Sequence, residues 1–267
     1  MIFVHDKGRM ANNILQYGHF YAWGRENGRK TMSMRFAYKY PYFRICQTPH
    51  HNFLTYVFAK YAAKWGLIPI LHFDDKDGDY TNHEQQMLTR KLLMVTGWEA
   101  RWYDAFLKYK QEIINLFAFN DAVELQVKPL MGDGIRLGVH IRRGDYDRFY
   151  GGRFFYSDEQ YVQVIRNFVK LHPDDQITVY ICGNDPKLNR DYYREQLSNC
   201  QLVFPDGNPG EDLCLLSHCH YLIGAPSTFT LVASMYRDLP LYWIEEPRQE
   251  LTEDSFKRFD YLFKHIY

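Results

Sequence analysis

Two adjacent arginines, Arg142 and Arg143, stand where the apolar run Ile135–Ile141 (IRLGVHI) gives way to Gly144-Asp145-Tyr146. Guanidinium forks match phosphate oxygens and stay charged at any working pH. At the carboxyl end of a buried strand, followed by a glycine, such a pair suits a diphosphate. Ion pairing with acidic neighbours such as Asp145 and Asp147 suits it equally, and local pattern leaves both readings open. His140, Asp145 and Asp147 are the nearby groups able to take a proton from an attacking hydroxyl, while His140 fits a structural hydrogen-bonding role as well. A second constellation is Ala225-Pro226-Ser227-Thr228-Phe229, at the opening of a helix. Helix-end amides and the dipole favour an anion there, and the plainer reading makes Ser227 an N-cap. A third, Gly8-Arg9-Met10-Ala11-Asn12-Asn13, lies between the first strand and first helix. That is the place of a phosphate loop, but it matches neither GxGxxG nor GxxxxGK followed by Ser or Thr.

These groups need a scaffold, and 267 residues supply one large α/β unit or two domains. Lys plus Arg and Asp plus Glu each total 32, so the net charge is zero, which argues against a general nucleic-acid or anionic-membrane binder that relies on a large excess of positive charge. Residues 1–130 nevertheless hold 17 basic and 12 acidic side chains, and residues 131–267 hold 15 and 20. This asymmetry, with the boundary-like KPLMGDG near 128–134, divides the chain into domains 1–130 and 131–267. Aromatic residues reach 17%. The amino terminus lacks a secretory signal pattern and no window is apolar enough to span a bilayer, so a cytoplasmic location is expected. Five scattered cysteines without a CxxC pair read as reduced core residues.

The second half alternates regularly. Strands are predicted at 135–141, 176–182, 202–204, 221–224 and 239–244. Between them lie a helix opened by the Ser157/Gln160 capping signature, one started at Asn184-Asp185-Pro186, one introduced by Pro209-Gly210-Glu211, and one capped by Ser227. A terminal helix is predicted from Thr252. Such alternation implies a doubly wound parallel sheet, with ligands beyond the carboxyl ends of its strands, at 142–146, 183–185, 205–208, 225–228 and 245–247. In the first half, a strand at Ile2–His5, a helix at Asn12–Glu26, a strand at Leu67–Phe73, and helices at His83–Val95 and Trp102–Phe117 are predicted. An aromatic, basic stretch runs from Met34 to Tyr61, and within it Phe36–Arg44, which interleaves rings with bases, reads as a mixture of core and acceptor-cleft lining. The acidic run Asp74–Asp79 suits a divalent metal through Asp75 and Asp77, but more simply makes a solvated turn.

Taken together, three segments resemble a family. His140–Tyr146 (HIRRGDY) is similar to the HxRRGDY signature of the α1,2-fucosyltransferases, shared more loosely with α1,6- and protein O-fucosyltransferases. Gly8–Tyr17 (GRMANNILQY) resembles the amino-terminal motif of that family, and Asn208–Phe229 its carboxyl-terminal acidic-Asp-Leu helix and S-S/T-F turn. The chain departs from the pattern at Ala11 and Asn13, and reads TLVASMYRD where close α1,2-enzymes carry a tryptophan pair.

The resemblance implies two Rossmann-like domains facing a cleft, the B-type glycosyltransferase architecture, with an acceptor half and a donor half. It implies inverting, metal-independent transfer of L-fucose from GDP-fucose to an oligosaccharide or lipid-linked glycan, with no cofactor. No nucleic acid is expected as a partner. Without a transmembrane segment, membrane contact would be peripheral. Arg142 falls on the arginine that supports the leaving GDP, with Asp145 and His140 beside it as catalytic candidates. Arg9, Asn12, Arg143, Asp212, Ser227, Thr228 and Phe229 fall on donor-binding positions. Two alternatives stand beside it: a metal-dependent transferase using Asp75 and Asp77, and a nonenzymatic glycan- or nucleotide-binding module.

Overall fold

The structure, a computed structural model, describes the chain except Asp6, Asn184 and Tyr267, and of Asp145 and Phe149 it describes the backbone alone. Two compact units divide the chain between Asn120 and Asp121, ahead of the expected 130. The shift has a simple cause, since the helix Asp121–Val127 packs against the helix Pro209–Ser217 of the second unit.

The first unit carries a four-stranded parallel sheet. Strands β1 (Ile2–His5), β2 (Thr31–Ser33), β3 (Ile70–Phe73) and β4 (Leu93–Gly97) take the order β2-β1-β4-β3. Helices α1 (Met10–Glu26), α2 (Phe53–Lys64), α3 (Thr81–Thr89), α4 (Tyr103–Lys108) and α5 (Lys110–Leu116) surround it. Two expectations need correction. The helix foreseen at His83–Val95 ends at Thr89, and Leu93–Gly97 is instead an inner strand with all five residues buried. The helix foreseen at Trp102–Phe117 breaks at Tyr109 into α4 and α5. The aromatic excess is spent largely here: Phe36, Phe43 and Phe117 form a mutual edge-to-face cluster, all buried.

In the second unit, helix α6 (Asp121–Val127) precedes strands β5 (Ile135–Ile141), β6 (Ile177–Gly183), β7 (Gln201–Val203), β8 (Tyr221–Gly224) and β9 (Leu241–Trp243). All pair in parallel in the order β7-β6-β5-β8-β9. Chain direction across the sheet reverses between β5 and β8, the switch point at which doubly wound sheets hold ligands. Helices α7 (Asp158–Leu171), α8 (Arg190–Gln196), α9 (Pro209–Ser217), α10 (Thr228–Met235) and α11 (Phe259–Phe263) complete it. The Ser157/Gln160 box forms at the start of α7. Helix α8 starts later than Asp185 suggested, capped by Asn189, and Asn184 lies outside the described residues. Thr252 caps a 3-10 turn rather than the terminal helix, which begins at Phe259.

The buried strands are near-continuous apolar runs because helices cover both faces. Gly138, in the middle of β5, lets α9 approach closely: a Cβ there would meet Leu216 and Leu222 side chains at 2.7 Å. Cys182, Cys214 and Cys219 are buried as expected, whereas Cys46 and Cys200 are only half-buried. No helix among the described residues is long and apolar enough to cross a membrane.

Candidate active site

The sequence segments HIRRGDY and APSTF meet at the β5/β8 switch point. His140, the penultimate residue of β5, stacks on Phe229 in the first turn of α10, with ring centroids 4.6 Å apart and planes 21° from parallel. Two residues past Arg142, Gly144 takes a left-handed φ of 37°, and the Tyr146 amide donates to the Arg143 carbonyl at 2.6 Å. This tight turn throws the buried Tyr146 back across the strand end. Its hydroxyl donates to the Pro226 carbonyl at 2.8 Å, just ahead of the α10 cap. Arg142 lies with its guanidinium 5.0 Å from the centre of the Tyr146 ring, and its amide donates to the Tyr161 hydroxyl at 3.4 Å. Ring stack and hydrogen bond therefore clasp the arginine loop to the start of α10.

The two arginines separate in role. Adjacent side chains at a strand end leave on opposite faces. Arg143 turns inward, 9% exposed, and is bound on three sides. Its Nε donates to the Tyr156 carbonyl at 3.1 Å, Nη1 to Asp185 at 3.0 Å, and Nη2 to Asp158 at 2.6 Å. The buried Tyr193 hydroxyl donates to the same Asp158 oxygen at 2.9 Å. Ion pairing was foreseen for the arginine pair, but with Asp145 and Asp147; the partners are at the start of α7 and after β6. Arg143 thus spends its guanidinium on Tyr156, Asp158 and Asp185, holding the loop together. Arg142 is half-exposed at the strand's carboxyl end.

His140 is 6% exposed, and burial followed by the nearby Arg142 charge lowers its pKa to about 3. Its imidazole is neutral at working pH, and its Nδ1 is buried without a hydrogen-bond partner. An imidazole this weakly basic is a poor proton acceptor, which favours the stacking role over the catalytic one. The Asp145 side chain lies outside the described residues. Ser227 caps α10, its Oγ accepting from the Thr230 amide at 3.3 Å, and Trp243 of β9 donates to Thr230 Oγ1 at 3.1 Å. The Ser227 hydroxyl and the Thr230 amide are thus used locally, and what the start of α10 offers an anion is the positive end of the helix dipole.

Asp212 stands in the first turn of α9, below the reciprocal Asn208/Glu211 cap. Burial, and then the Glu211 charge, raise its pKa to about 7, and its Oδ1 is buried with no hydrogen-bond partner. Such an oxygen is an acceptor awaiting a donor.

Arg9 and Asn12 belong to the first unit. Arg9 is exposed at the N-cap of α1, and Asn12 closes over Gly8, which has a φ of 86°. Sequence reasoning missed what shapes this loop. Gln16 grips Lys7 twice, donating to its carbonyl at 2.8 Å and accepting from its amide at 3.1 Å. The buried Asn13 donates to the Arg9 carbonyl at 2.9 Å. The signal was present, because both are amide side chains among the mostly apolar buried residues of α1.

The acidic run folds as a turn. Asp77 donates its amide to the Asp75 carboxylate at 3.1 Å, Asp79 accepts from Thr81 at the opening of α3, and Asp74 pairs with Lys7 at 2.7 Å. Elsewhere Glu124, Cys214 and His218 bring three metal-type donors within 4.8 Å of one another. Arg237, however, lies 2.7 Å from His218 Nδ1, and burial pushes the Cys214 thiol up, away from the thiolate that binds metals.

No family model matches the chain. Among curated proteins it is 24% identical over 251 residues to the galactoside alpha-(1,2)-fucosyltransferase 2 of Gorilla gorilla gorilla, covering 86% of this chain and 67% of that protein. It is 25% identical over 245 residues to the galactoside alpha-(1,2)-fucosyltransferase 1 of Oryctolagus cuniculus, covering 85% and 61%. The chain thus spans about two thirds of these relatives' length. Among solved structures, Arabidopsis thaliana FUT1 in complex with GDP superposes with a TM-score of 0.63 at 13% identity, over 96% of this chain and 73% of that one. POFUT1 in complex with GDP gives 0.59 at 12%, over 89% and 94%. The NodZ alpha-1,6-fucosyltransferase gives 0.54 at 12%, over 96% and 98%. These structural identities speak to fold alone. The resemblance carried by HIRRGDY, GRMANNILQY and the APSTF turn therefore extends over most of the chain, which is similar in sequence to α1,2-fucosyltransferases and shares its fold with solved fucosyltransferases.

Proposed function

We propose that this chain transfers L-fucose from GDP-fucose to a hydroxyl of an oligosaccharide or lipid-linked glycan, with inversion, an α1,2 linkage and no metal ion or resident cofactor. The reading places its work in the cytoplasm. One observation carries it: Arg142 is held at the switch point beside the first turn of α10, while its neighbour Arg143 is consumed in the scaffold.

As the bond between the sugar C1 and the diphosphate breaks, negative charge builds on phosphate oxygens. A fixed guanidinium and helix-end amides stabilise that charge without reorganising, which is the service a metal gives in other transferases. The acceptor oxygen forms the new bond to C1, and its proton goes to a carboxylate or to the departing phosphate. With His140 neutral and buried, Asp145 is the residue of the motif left for that part.

Asp212 supplies base selectivity in this reading. Guanine presents a ring N–H and an amino group side by side, a pair that a carboxylate can accept, and Asp212 Oδ1 is a buried acceptor without a partner. Calorimetric titration with GDP, UDP and ADP tests the donor class directly: GDP alone is expected to bind tightly, and equal affinity for UDP would overturn the reading. Transfer that disappears in EDTA would restore the metal-dependent alternative.

A stability signature accompanies this site. The unfolded Asp212 carboxyl ionises near pH 4 and the folded one near 7. The folded state therefore holds an extra proton between those values, and stability falls as pH rises through that window. Asp212→Asn is expected to be near-neutral at pH 4 and to stabilise the unliganded protein by about 4 kcal/mol at pH 8, in urea unfolding. The same variant should bind GDP roughly tenfold or more weakly. A variant that left both quantities unchanged would remove Asp212 from the site.

A further inference from the structure

Helix α2 is built inside out. It lays small alanines, Ala59 and Ala62, against the sheet with the half-buried Tyr56, and turns Phe53, Leu54, Phe58 and Tyr61 outward, Phe58 keeping an edge contact with the Phe3 ring at 6.4 Å. Leu54, Phe58, Tyr61 and Trp65 follow one another at spacings of four, three and four residues, a single stripe on a helical surface. They are 80%, 54%, 39% and 68% exposed, and Phe53 and Leu67 at either end are 61% and 72% exposed. A soluble surface rarely carries so continuous an apolar strip without a partner. Beyond Leu67 the surface continues into an open recess of about 570 Å³ that Leu92, Arg90 and Lys91 help to line.

The charge around this strip is of one sign. From Asn27 to Phe73 the chain has seven Lys and Arg residues and not one Asp or Glu. The remainder of residues 1–130 holds ten basic and twelve acidic side chains, so the basic excess of the first half resides wholly in this stretch. Lys60 and Lys64 flank the stripe on α2 itself, with their ammonium groups 5.9 and 6.0 Å from the Tyr61 ring centre. Aromatic and aliphatic rows bordered by lysine are what an interfacial helix presents to an anionic lipid surface: the rings enter the headgroup boundary and the ammonium groups meet phosphates.

We propose that α2, with Trp65 and Leu67, is an interfacial anchor that seats the first unit on an anionic phospholipid surface. Charge complementarity selects this occupant. An acidic protein face or a second copy of this chain would also cover apolar area, but a second copy would bring two cationic strips together. The anchor stands apart from the nucleotide-sugar reading, and it would hold the enzyme where lipid-linked acceptors lie.

The test uses the full chain and vesicles of phosphatidylcholine alone or mixed with phosphatidylglycerol. Sedimentation with the anionic vesicles, lost on raising salt and absent with phosphatidylcholine alone, is the expected result. Insertion should also blue-shift tryptophan fluorescence, a response removed by Trp65→Phe while sedimentation persists. Phe58→Glu and the double variant Lys60→Glu/Lys64→Glu should each weaken vesicle binding roughly tenfold or more, with circular dichroism and GDP affinity unchanged. Absence of binding to anionic vesicles overturns the proposal, as does equal binding by the variants. A concentration-dependent dimer that Phe58→Glu dissolves, without vesicle binding, would give the strip to a second copy instead.

Discussion

Replacing Arg142 by alanine is expected to lower kcat about a thousandfold while leaving the fold intact. The two halves of that expectation have separate causes. Removing one preorganised donor from the charge that develops on a leaving group costs about 3 to 4 kcal/mol of transition-state stabilisation. In the folded protein, by contrast, Arg142 is half-exposed and its guanidinium rests against the Tyr146 ring at 5.0 Å, a contact worth about 1 kcal/mol or less. Activity should therefore fall far more than stability, and kcat more than KM, because the contact strengthens as the diphosphate leaves. Arg142→Lys keeps the charge but loses the planar fork, so it should recover part of the rate only. Turnover of Arg142→Ala within a few-fold of the parent, measured with saturating GDP-fucose and acceptor, would dismiss the residue from catalysis.

How far the sequence disclosed this arrangement differs between the two units. In the second, buried parallel strands are short apolar runs between capped helices, and the signals agree at most joints, the starts of α8 and α11 excepted. IRLGVHI and YLIG became β5 and β8 with the expected bounds, and Asn208, Ser157 and Ser227 capped the helices that follow them. The meeting of HIRRGDY with APSTF was legible from topology alone, since adjacent strands bring their following loops together. The clasp between them was not, because Tyr146–Pro226 and His140–Phe229 join residues 80 or more apart in the chain. In the first unit local signals conflict. The residues from Met87 to Val95 space their apolar side chains as a helix does, and Leu93–Gly97 is too short for period alone to separate strand from helix. In α2 the period is evident, but period identifies a face without saying which way it turns. The alanines took the core, and the large residues the surface. The acidic loop shows the reverse case: Asp and Gly at close spacing favour a turn, and the hydrogen bonds of Asp75 and Asp79 bear that out.

Arg143→Ala should give the mirror image of the first substitution, unfolding at markedly lower urea concentration with about 3 to 5 kcal/mol lost. Arg143 is the hub of a nearly buried network that joins the β5 loop, the first turn of α7 through Asp158, the loop after β6 through Asp185, and α8 through Tyr193. Deleting the guanidinium leaves two carboxylates, 17% and 14% exposed, facing each other's charge without a counterion. Breaking one side of a buried pair costs this much because desolvation of the remaining charge is no longer offset. The loss should shrink when Asp158 and Asp185 are neutralised as well: Asp158→Asn/Asp185→Asn on the Arg143→Ala background should recover more than half of it, which a double-mutant cycle measures. The pair also has a pH signature. Burial works against ionisation of Asp185, but the Lys187 amide and Arg143 together hold its carboxyl below the usual carboxylate range. This depressed value stabilises the fold above about pH 4, and that contribution is lost as pH falls through the folded pKa. Arg143→Ala should therefore flatten the acid limb of the stability curve. Assayed well below its unfolding temperature, the variant should keep a larger share of kcat than Arg142→Ala does. Equal loss of rate from both arginines, with Arg143→Ala as stable as the parent, would return Arg143 to the donor diphosphate.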